Sequence, residues 1–116
     1  MQNDVRTAAH IHAERVILCA GAHSKALAEN LTGVRVPLDT ERGYHLMLPG
    51  EAARLRLPVS SIDHSFVMTP MQHGLRLAGT VEYAGLEAPP NMARARNLKL
   101  LAEKLLQAPL NGDGAE

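Results

Sequence analysis

The sequence has 116 residues, about the length of one small domain. Its 12 basic and 12 acidic side chains balance, which excludes the positive surface that attracts nucleic acids or anionic membranes. One cysteine excludes an internal disulfide, and no apolar run reaches the about 20 residues of a transmembrane helix. We expect a globular cytoplasmic chain, with peripheral attachment at the inner face of a membrane as the open alternative.

The first third of the chain carries a pattern of strand, turn and helix. A weak strand pattern over residues 5–12 comes first. Residues 15–21 (RVILCAG) are then apolar without polar alternation, which is typical of a strand buried on both faces. Ser24 stands where a helix would be capped and Gly33 where it would end, so a helix is predicted between them. A buried strand needs neighbours on both sides, and their absence from the sequence points to missing sequence.

The middle of the chain predicts several short, antiparallel strands. Residues 43–48 alternate between apolar and more polar side chains, as a half-buried strand does. Residues 58–62, 65–69 and 75–81 are further strands, and residues 71–74 (MQHG) form a hairpin turn between the last two.

One amphipathic helix follows the strands. Residues 92–106 place their apolar side chains on a single stripe, and Asn91, after two prolines, is the candidate cap. Pro109 and the NGDG sequence of residues 111–114 end the helix. The order of strands and helices predicts an α+β fold.

Two short segments could bind a ligand. Ala20 and Gly21 lie at the end of the predicted buried strand, where small residues allow a cofactor to approach the backbone, although a glycine at such a junction more often serves a tight turn alone. Arg42 precedes a glycine, Tyr44 and a histidine, a group that could bind a carboxylate or the edge of a flavin. The alternative for the second segment is an exposed arginine beside a core tyrosine.

Histidines and one internal glycine give weaker signals. His10 and His12 could share one face of a strand, but no third ligand lies near them, so we predict no metal site. His64 follows Asp63, yet neighbouring strand residues point to opposite faces and would not pair. Gly79 inside a predicted strand indicates either a bulge or a close approach by backbone or ligand.

Four segments together resemble one protein family, the D-amino-acid oxidase superfamily of FAD-dependent oxidoreductases. Residues 15–24 (RVILCAGAHS) and 36–45 (VPLDTERGYH) resemble two of its conserved stretches. Residues 63–71 (DHSFVMTPM) and 74–82 (GLRLAGTVE), with the PPN of residues 89–91, are similar to the bacterial D-amino-acid dehydrogenase branch.

The resemblance implies a fold in two parts. Residues 1–33 would be the C-terminal part of a Rossmann-like FAD-binding segment, contributing one strand and one helix. Residues 34–108 would form a mixed, largely antiparallel substrate-domain sheet with one amphipathic helix, and residues 109–116 a truncated linker. The family's glycine-rich pyrophosphate-binding segment would precede residue 1, and its substrate-binding Arg-Pro segment would follow residue 116. The resemblance therefore implies an internal fragment.

The resemblance also implies roles for single residues. The residues it places at FAD are Cys19, Ala20, Gly21, His23 and Arg42. The residues it places at the substrate pocket are Tyr44, Phe66 and Glu82. Relatives usually carry tryptophan at the position of His23, and some have a tyrosine near Phe66, whose ring lacks a hydroxyl donor.

The implied activity is oxidation of the C–N bond of D-amino acids or related amines by hydride transfer to FAD. This chemistry needs positioning and an electron sink, so we predict no catalytic side chain within the 116 residues. The electron acceptor, a quinone or oxygen, stays open, and the fragment alone is expected to be inactive. The alternative is a self-contained, non-catalytic α+β binding or interaction module.

Overall fold

The computed structural model of the chain describes residues 11–116. It divides the chain into two compact units, Met1–Leu38 and Asp39–Glu116. The weak strand pattern of residues 5–12 and the predicted pairing of His10 lie largely or wholly outside the described residues.

The first unit contains one helix and no described strand. A 3₁₀ turn, Gly21–His23, leads into α1, Ser24–Thr32, which ends at Gly33 with a φ of 72°. The predicted helix and its glycine stop are confirmed. Ser24 does not cap the helix, because its hydroxyl accepts the N–H of Ala20 at 3.1 Å.

The predicted buried strand over residues 15–21 is not formed in the structure. Val16 and Ile17 are 78% and 86% exposed, and residues 15–20 have no strand assignment. A strand exists only through hydrogen bonds to a neighbouring strand, and none of the described residues pairs with this run. The predicted strand is therefore wrong for the described residues, because an apolar run alone does not supply the hydrogen-bonded neighbour that a strand needs.

The second unit is built on a four-stranded sheet. Its strands are β1, Arg42–Leu48; β2, Val59–Ser61; β3, Phe66–Met71; and β4, Gly74–Glu82. Their order is β1-β4-β3-β2, and every neighbouring pair is antiparallel, so the sheet in the described residues is antiparallel rather than mixed. Met71 faces Gly74 across a two-residue turn, which confirms the predicted hairpin. The α+β class is also confirmed.

One face of this sheet is covered by the second helix, α2, Ala93–Leu106. Ala95, Leu98 and Ala102 are its buried residues, in agreement with the predicted apolar stripe. The core also takes alternate side chains from three strands and one residue beyond the helix: Tyr44, Leu46, Leu48, Phe66, Met68, Leu75, Leu77 and Leu110. The predicted cap at Asn91 is wrong by one position, because Met92 is the N-cap residue of α2 and no side chain caps the helix. The side-chain oxygen of Asn91 instead accepts the N–H of Ala93 at 3.2 Å, in the turn that leads into the helix.

Gly79 is the extra residue of a bulge in β4. Thr80 faces Tyr44 and Ala78 faces His45, so Gly79 has no partner of its own in β1. Its φ is +151°, and a Cβ placed on it would lie 2.5 Å from Cα of Phe66. Both interpretations of this glycine, a bulge and a close backbone approach, therefore hold at the same position.

The last residues of the chain are hydrogen-bonded to β1 and to the 3₁₀ turn, Pro49–Glu51, that follows it. The N–H and C=O of Met47 exchange hydrogen bonds with the C=O and N–H of Glu116 at 2.8 and 3.2 Å. The carboxylate of Glu51 accepts the N–H of Asn111 at 2.7 Å, and Leu110 is only 4% exposed. The segment predicted as a linker is thus held to the second unit by backbone and side-chain contacts.

Glu51 makes this attachment dependent on pH. Its side chain accepts hydrogen bonds from Arg54 at 2.8 and 3.2 Å and from the N–H of Asn111. The Arg54 guanidinium, followed by the Asn111 N–H, lowers the pKa of Glu51 below its ordinary value. Because the folded pKa is lower than the unfolded pKa, this stabilisation is present above the unfolded pKa and is lost as the pH falls through the folded one.

We expect Glu51→Gln to lower the free energy of unfolding at neutral pH by about 1–2 kcal/mol, because a charge-assisted hydrogen-bond network is replaced by neutral bonds. The difference should shrink as the pH falls through the acidic range, where the wild-type carboxylate takes up its proton. Urea unfolding at several pH values measures this. A difference between the two proteins that is constant with pH would contradict the assignment.

Candidate functional site

Three of the predicted site residues meet at the end of the β1–β4 pair. The carboxylate of Glu82 accepts hydrogen bonds from the hydroxyl of Tyr44 at 2.5 Å and from the guanidinium of Arg42 at 3.4 Å. Arg42 and Glu82 are directly opposite each other in the strand register. The Tyr44 hydroxyl also accepts the backbone N–H of Asn91 at 2.7 Å. We name Arg42, Tyr44, Glu82 and Asn91 the Glu82 cluster.

The Glu82 cluster fastens the loop between β4 and α2 to the sheet. Arg42 donates a second hydrogen bond, at 2.8 Å, to the backbone carbonyl of Ala88 in this loop. The side chains of Arg42 and Glu82 are 27% and 16% exposed, and Tyr44 is 7% exposed. Charged groups so little exposed are stable only when paired, and here each has a partner of opposite charge or a hydrogen-bond partner.

Arg42 therefore has both of its resolved contacts inside the protein. The family resemblance implies a place at FAD for Arg42, whereas the structure shows its guanidinium between Glu82 and the loop carbonyl. A role at the cofactor stays a prediction, and in the described residues Arg42 orders the loop that precedes α2.

Phe66, the remaining residue predicted at the substrate pocket, lies deeper in the second unit. Its ring is 4% exposed and belongs to the core beneath α2. Its backbone lies against the bulge at Gly79, which is the reason that no side chain fits at that glycine. The structure thus brings Tyr44 and Glu82 into hydrogen-bond contact and places Phe66 among the buried apolar side chains.

The predicted cofactor residues of the first unit lie in one short turn. Cys19 has an exposed thiol, and Ala20 is half-buried with its N–H bonded to Ser24. Gly21 has a φ of +53°, and a Cβ built on it would have no atom within 4 Å. His23 completes the turn and is exposed. This turn is open, with small side chains at its surface.

The other histidines of the candidate list do not form a catalytic pair. His64 lies in the turn between β2 and β3, where its Nδ1 is 3.0 Å from the hydroxyl of Ser61. Asp63 beside it is exposed, as is His73 in the hairpin turn. Within residues 11–116, no group of three or more histidine, cysteine or carboxylate side chains could hold a metal ion.

Sequence reasoning missed two contributors to the site. Asn91 was predicted only as a helix cap, but its backbone N–H also holds the Tyr44 hydroxyl. Arg94 lies 3.9 Å from the Glu82 carboxylate and donates to Thr80 at 3.2 Å. The prolines before Asn91 signalled a fixed entry to α2, but no local pattern could connect residues that lie 47 positions apart.

Removing one hydroxyl tests the cluster. We expect Tyr44→Phe to lower the free energy of unfolding by about 1–2 kcal/mol, because the Asn91 N–H and one Glu82 oxygen both lose a partner in a nearly buried site. Chemical denaturation measures the loss. Tyr83→Phe is the matched control, since the Tyr83 hydroxyl bonds Glu41 at an exposed position and Tyr83 is 71% exposed. Equal losses in the two variants would contradict the described cluster.

Comparison with known proteins identifies the family. The FAD dependent oxidoreductase family matches residues 2–114. The D-amino-acid oxidase of Bradyrhizobium diazoefficiens is 43% identical over 89 residues, which cover 77% of this chain and 21% of that protein. The D-amino acid dehydrogenase of Paramagnetospirillum magneticum is 34% identical over 105 residues, 89% of this chain and 24% of that protein. No solved structure gives a significant match.

The chain belongs to the family of FAD-dependent oxidoreductases. The predicted superfamily is confirmed by the match over nearly all of the chain, and the family's own description names FAD, the predicted cofactor. The chain spans about a fifth to a quarter of the length of these two relatives. Among the described residues, no helix is both long and apolar enough to cross a bilayer.

Proposed function

We propose that the chain is part of an oxidoreductase that oxidises the C–N bond of D-amino acids or related amines by hydride transfer to FAD. The observation that carries the proposal is the 43% identity to a protein named D-amino-acid oxidase, over 77% of the chain. A second relative, from Pseudomonas aeruginosa, is named D-amino acid dehydrogenase 2 and is 35% identical over 106 residues. In the proposed reaction, Cα loses a hydride, the nitrogen loses a proton, and the resulting imine is hydrolysed.

The turn over residues 19–23 fits a role at the cofactor. Gly21 offers open space where another residue would carry a Cβ, and the first N–H groups of a helical turn have no acceptor within the helix itself. We infer that Cys19, Ala20, Gly21 and His23 contact FAD through backbone and small side-chain atoms. Bound FAD would supply the two-electron acceptor of the reaction.

On the substrate side, the Glu82 cluster provides a fixed wall rather than a reacting group. The carboxylate of Glu82 is held by Tyr44 and Arg42, and the loop after β4 is held by Arg42 through the Ala88 carbonyl. Rigid positioning of a substrate is worth far more than one flexible contact, because it removes the entropy of orientation before the reaction. Phe66, buried beside Gly79, would give this wall an apolar interior.

A self-contained binding module was the alternative, and the comparisons favour the enzyme. A family match over residues 2–114 leaves almost no part of the chain outside the oxidoreductase pattern. The electron acceptor is a separate matter, because relatives named oxidase and relatives named dehydrogenase both match the chain. We therefore propose the oxidised bond, C–N, and the cofactor, FAD, with either a quinone or oxygen as the final electron acceptor.

A segment exchange tests the proposal. The matching segment of the Bradyrhizobium D-amino-acid oxidase is replaced by the corresponding residues of this chain, and the product is called the exchange protein. We expect it to bind FAD and to reduce it with D-amino acids under anaerobic conditions. Deuterium at Cα should slow flavin reduction, because the Cα–H bond breaks in that step. A folded, FAD-loaded exchange protein that no amine or D-amino acid reduces would overturn the proposal.

A further inference from the structure

An open cleft of about 610 Å³ lies in the second unit, between the start of α2, the bulged part of β4 and the turn before β3. Six of the residues that line the cleft have polar or charged side chains: His64, Ser65, Thr80, Asn91, Arg94 and Asn97. We propose that this cleft binds a small oxyanion, a carboxylate or a phosphate group, with Arg94 as the principal contact. The proposal goes beyond the oxidation proposed above and does not depend on FAD.

Arg94 is the first reason. Among the described residues, its guanidinium makes one hydrogen bond, from Nη1 to the Thr80 hydroxyl. Its Nε is buried without a hydrogen-bond partner, although Glu82 lies 3.9 Å away. By contrast, Arg54 makes three hydrogen bonds, to Glu51 and to the carbonyl of Pro109. An arginine has five N–H donors in a planar fork that suits carboxylate and phosphate oxygens, so Arg94 keeps donors for a ligand.

The electrostatic balance beside the cleft is positive. Glu82 is the acidic group nearest to Arg94, but its carboxylate already accepts from Tyr44 and is paired with Arg42. Two guanidinium groups thus face one carboxylate. Arg94 also belongs to the first turn of the 14-residue helix α2, whose dipole adds to the positive potential there. None of the residues lining the cleft is acidic.

Neutral donors complete the cleft. His64 has its Nδ1 3.0 Å from the Ser61 hydroxyl. When that hydroxyl donates to Nδ1, the proton of the ring lies on Nε2, which can then donate to an oxyanion. The side-chain amide of Asn97, one turn along α2 from Arg94, is a further donor on the same lining. A cleft with several N–H and O–H donors, one cation and no carboxylate selects an anion.

The backbone around the cleft is unusual at two adjacent places. Ser65 has a φ of +51°, a conformation that few residues other than glycine adopt. Its carbonyl oxygen lies 2.5 Å from the position that a Cβ on Gly79 would occupy. The bulge of β4 and the turn before β3 therefore lie against each other at the cleft, and both Ser65 and Gly79 line it. Costly conformations of this kind concentrate at ligand sites.

The test is a titration of the full 116-residue chain with inorganic phosphate and, separately, with acetate, at constant ionic strength set by chloride. Backbone and arginine side-chain resonances are followed by NMR. We expect saturable shifts at Ser65, Thr80, Arg94 and Asn97. Saturation by phosphate alone assigns phosphate esters as the ligand class, and saturation by acetate alone assigns carboxylates. Saturation by neither anion overturns the proposal.

Two arginine variants supply the matched comparison. Arg94→Gln should weaken binding at least about tenfold, because a charge-assisted contact is lost. Arg96→Gln, two positions along the same helix and exposed, should bind like the wild type. Equal weakening in both variants would show attraction to general positive charge and overturn the site. If Arg94→Gln does not fold, the wild-type shifts decide: shifts confined to the cleft support the site, and equal shifts at Arg96 and Lys99 reject it.

Discussion

Replacing Gly79 with alanine is expected to destabilise the chain by about 3 kcal/mol. The new Cβ would lie 2.5 Å from both Cα of Phe66 and the Ser65 carbonyl oxygen. These are backbone atoms, so no side-chain rotation relieves the clash. The φ of +151° is also one that alanine rarely adopts. Urea unfolding monitored by circular dichroism measures the loss.

Gly43→Ala is the matched control for this prediction. Gly43 lies on the neighbouring strand β1, and a Cβ built there has no atom within 4 Å. Alanine in a strand interior also loses less conformational entropy than glycine, so this variant should be neutral or more stable by up to about 1 kcal/mol. A Gly79→Ala protein as stable as Gly43→Ala would mean that β3 does not approach the bulge as closely as described.

Replacing Leu77 with alanine should cost about 3 kcal/mol, as in other deletions of fully buried leucine side chains. Leu77 has no exposed surface, and its partners across the two neighbouring strands are Leu46 and Met68, both members of the core. The helix α2 closes this layer from above and cannot move in freely, because Ala95 and Ala102 already bring it close to the sheet. A cavity therefore remains, and its surroundings lose dispersion contacts.

Leu100→Ala is the control for the core. Leu100 is 63% exposed on α2, so its truncation removes little buried area, and alanine is a good helix former. We expect a change below about 0.5 kcal/mol, in the range of surface substitutions. The difference in unfolding free energy between the two variants, read from denaturant midpoints at equal slopes, should exceed about 2 kcal/mol. Similar losses in both would place the core elsewhere than between the sheet and α2.

The sequence predicted the regular elements of the second unit well. Alternation gave β1, and the stripe of apolar residues gave α2, because both patterns reflect which side chains are buried. The turn between β3 and β4 was also predicted, since glycine marks it. These signals are local: each depends on residues a few positions apart. What they predict is therefore the element and its buried face.

Contacts between distant residues could not be predicted in the same way. Glu82 meets Arg42 and Tyr44 only because β4 lies beside β1. The bulge at Gly79 sets the register, that is, which residues of β1 and β4 face each other. The predicted strand over residues 15–21 also failed for want of a distant contact. An apolar run is necessary for a buried strand, but it does not supply the hydrogen-bonded neighbouring strand. Segment 109–116 was predicted as a linker from the family resemblance alone. The structure nevertheless holds it through Glu51 and Met47.

The proposed oxidation and the proposed oxyanion cleft depend on largely different residues. The first rests on the family, on the open turn over residues 19–23 and on the Glu82 cluster. The second rests on Arg94 and its neighbours, and Asn91 belongs to both the cluster and the cleft lining. Loss of the cleft by Arg94→Gln should leave Tyr44 and Arg42 with their direct contacts to Glu82, because neither contact passes through Arg94. The two proposals can therefore fail separately.

The most direct test of the central claim is the stereochemistry of turnover in the exchange protein. Initial rates are measured with D-alanine and with L-alanine at equal concentrations, after the FAD content of the protein has been determined. We expect oxidation of the D-enantiomer with little or no oxidation of the L-enantiomer. An FAD-loaded exchange protein that oxidises neither enantiomer nor any related amine, or that prefers the L-enantiomer, would contradict the assignment of this chain to D-amino-acid oxidation.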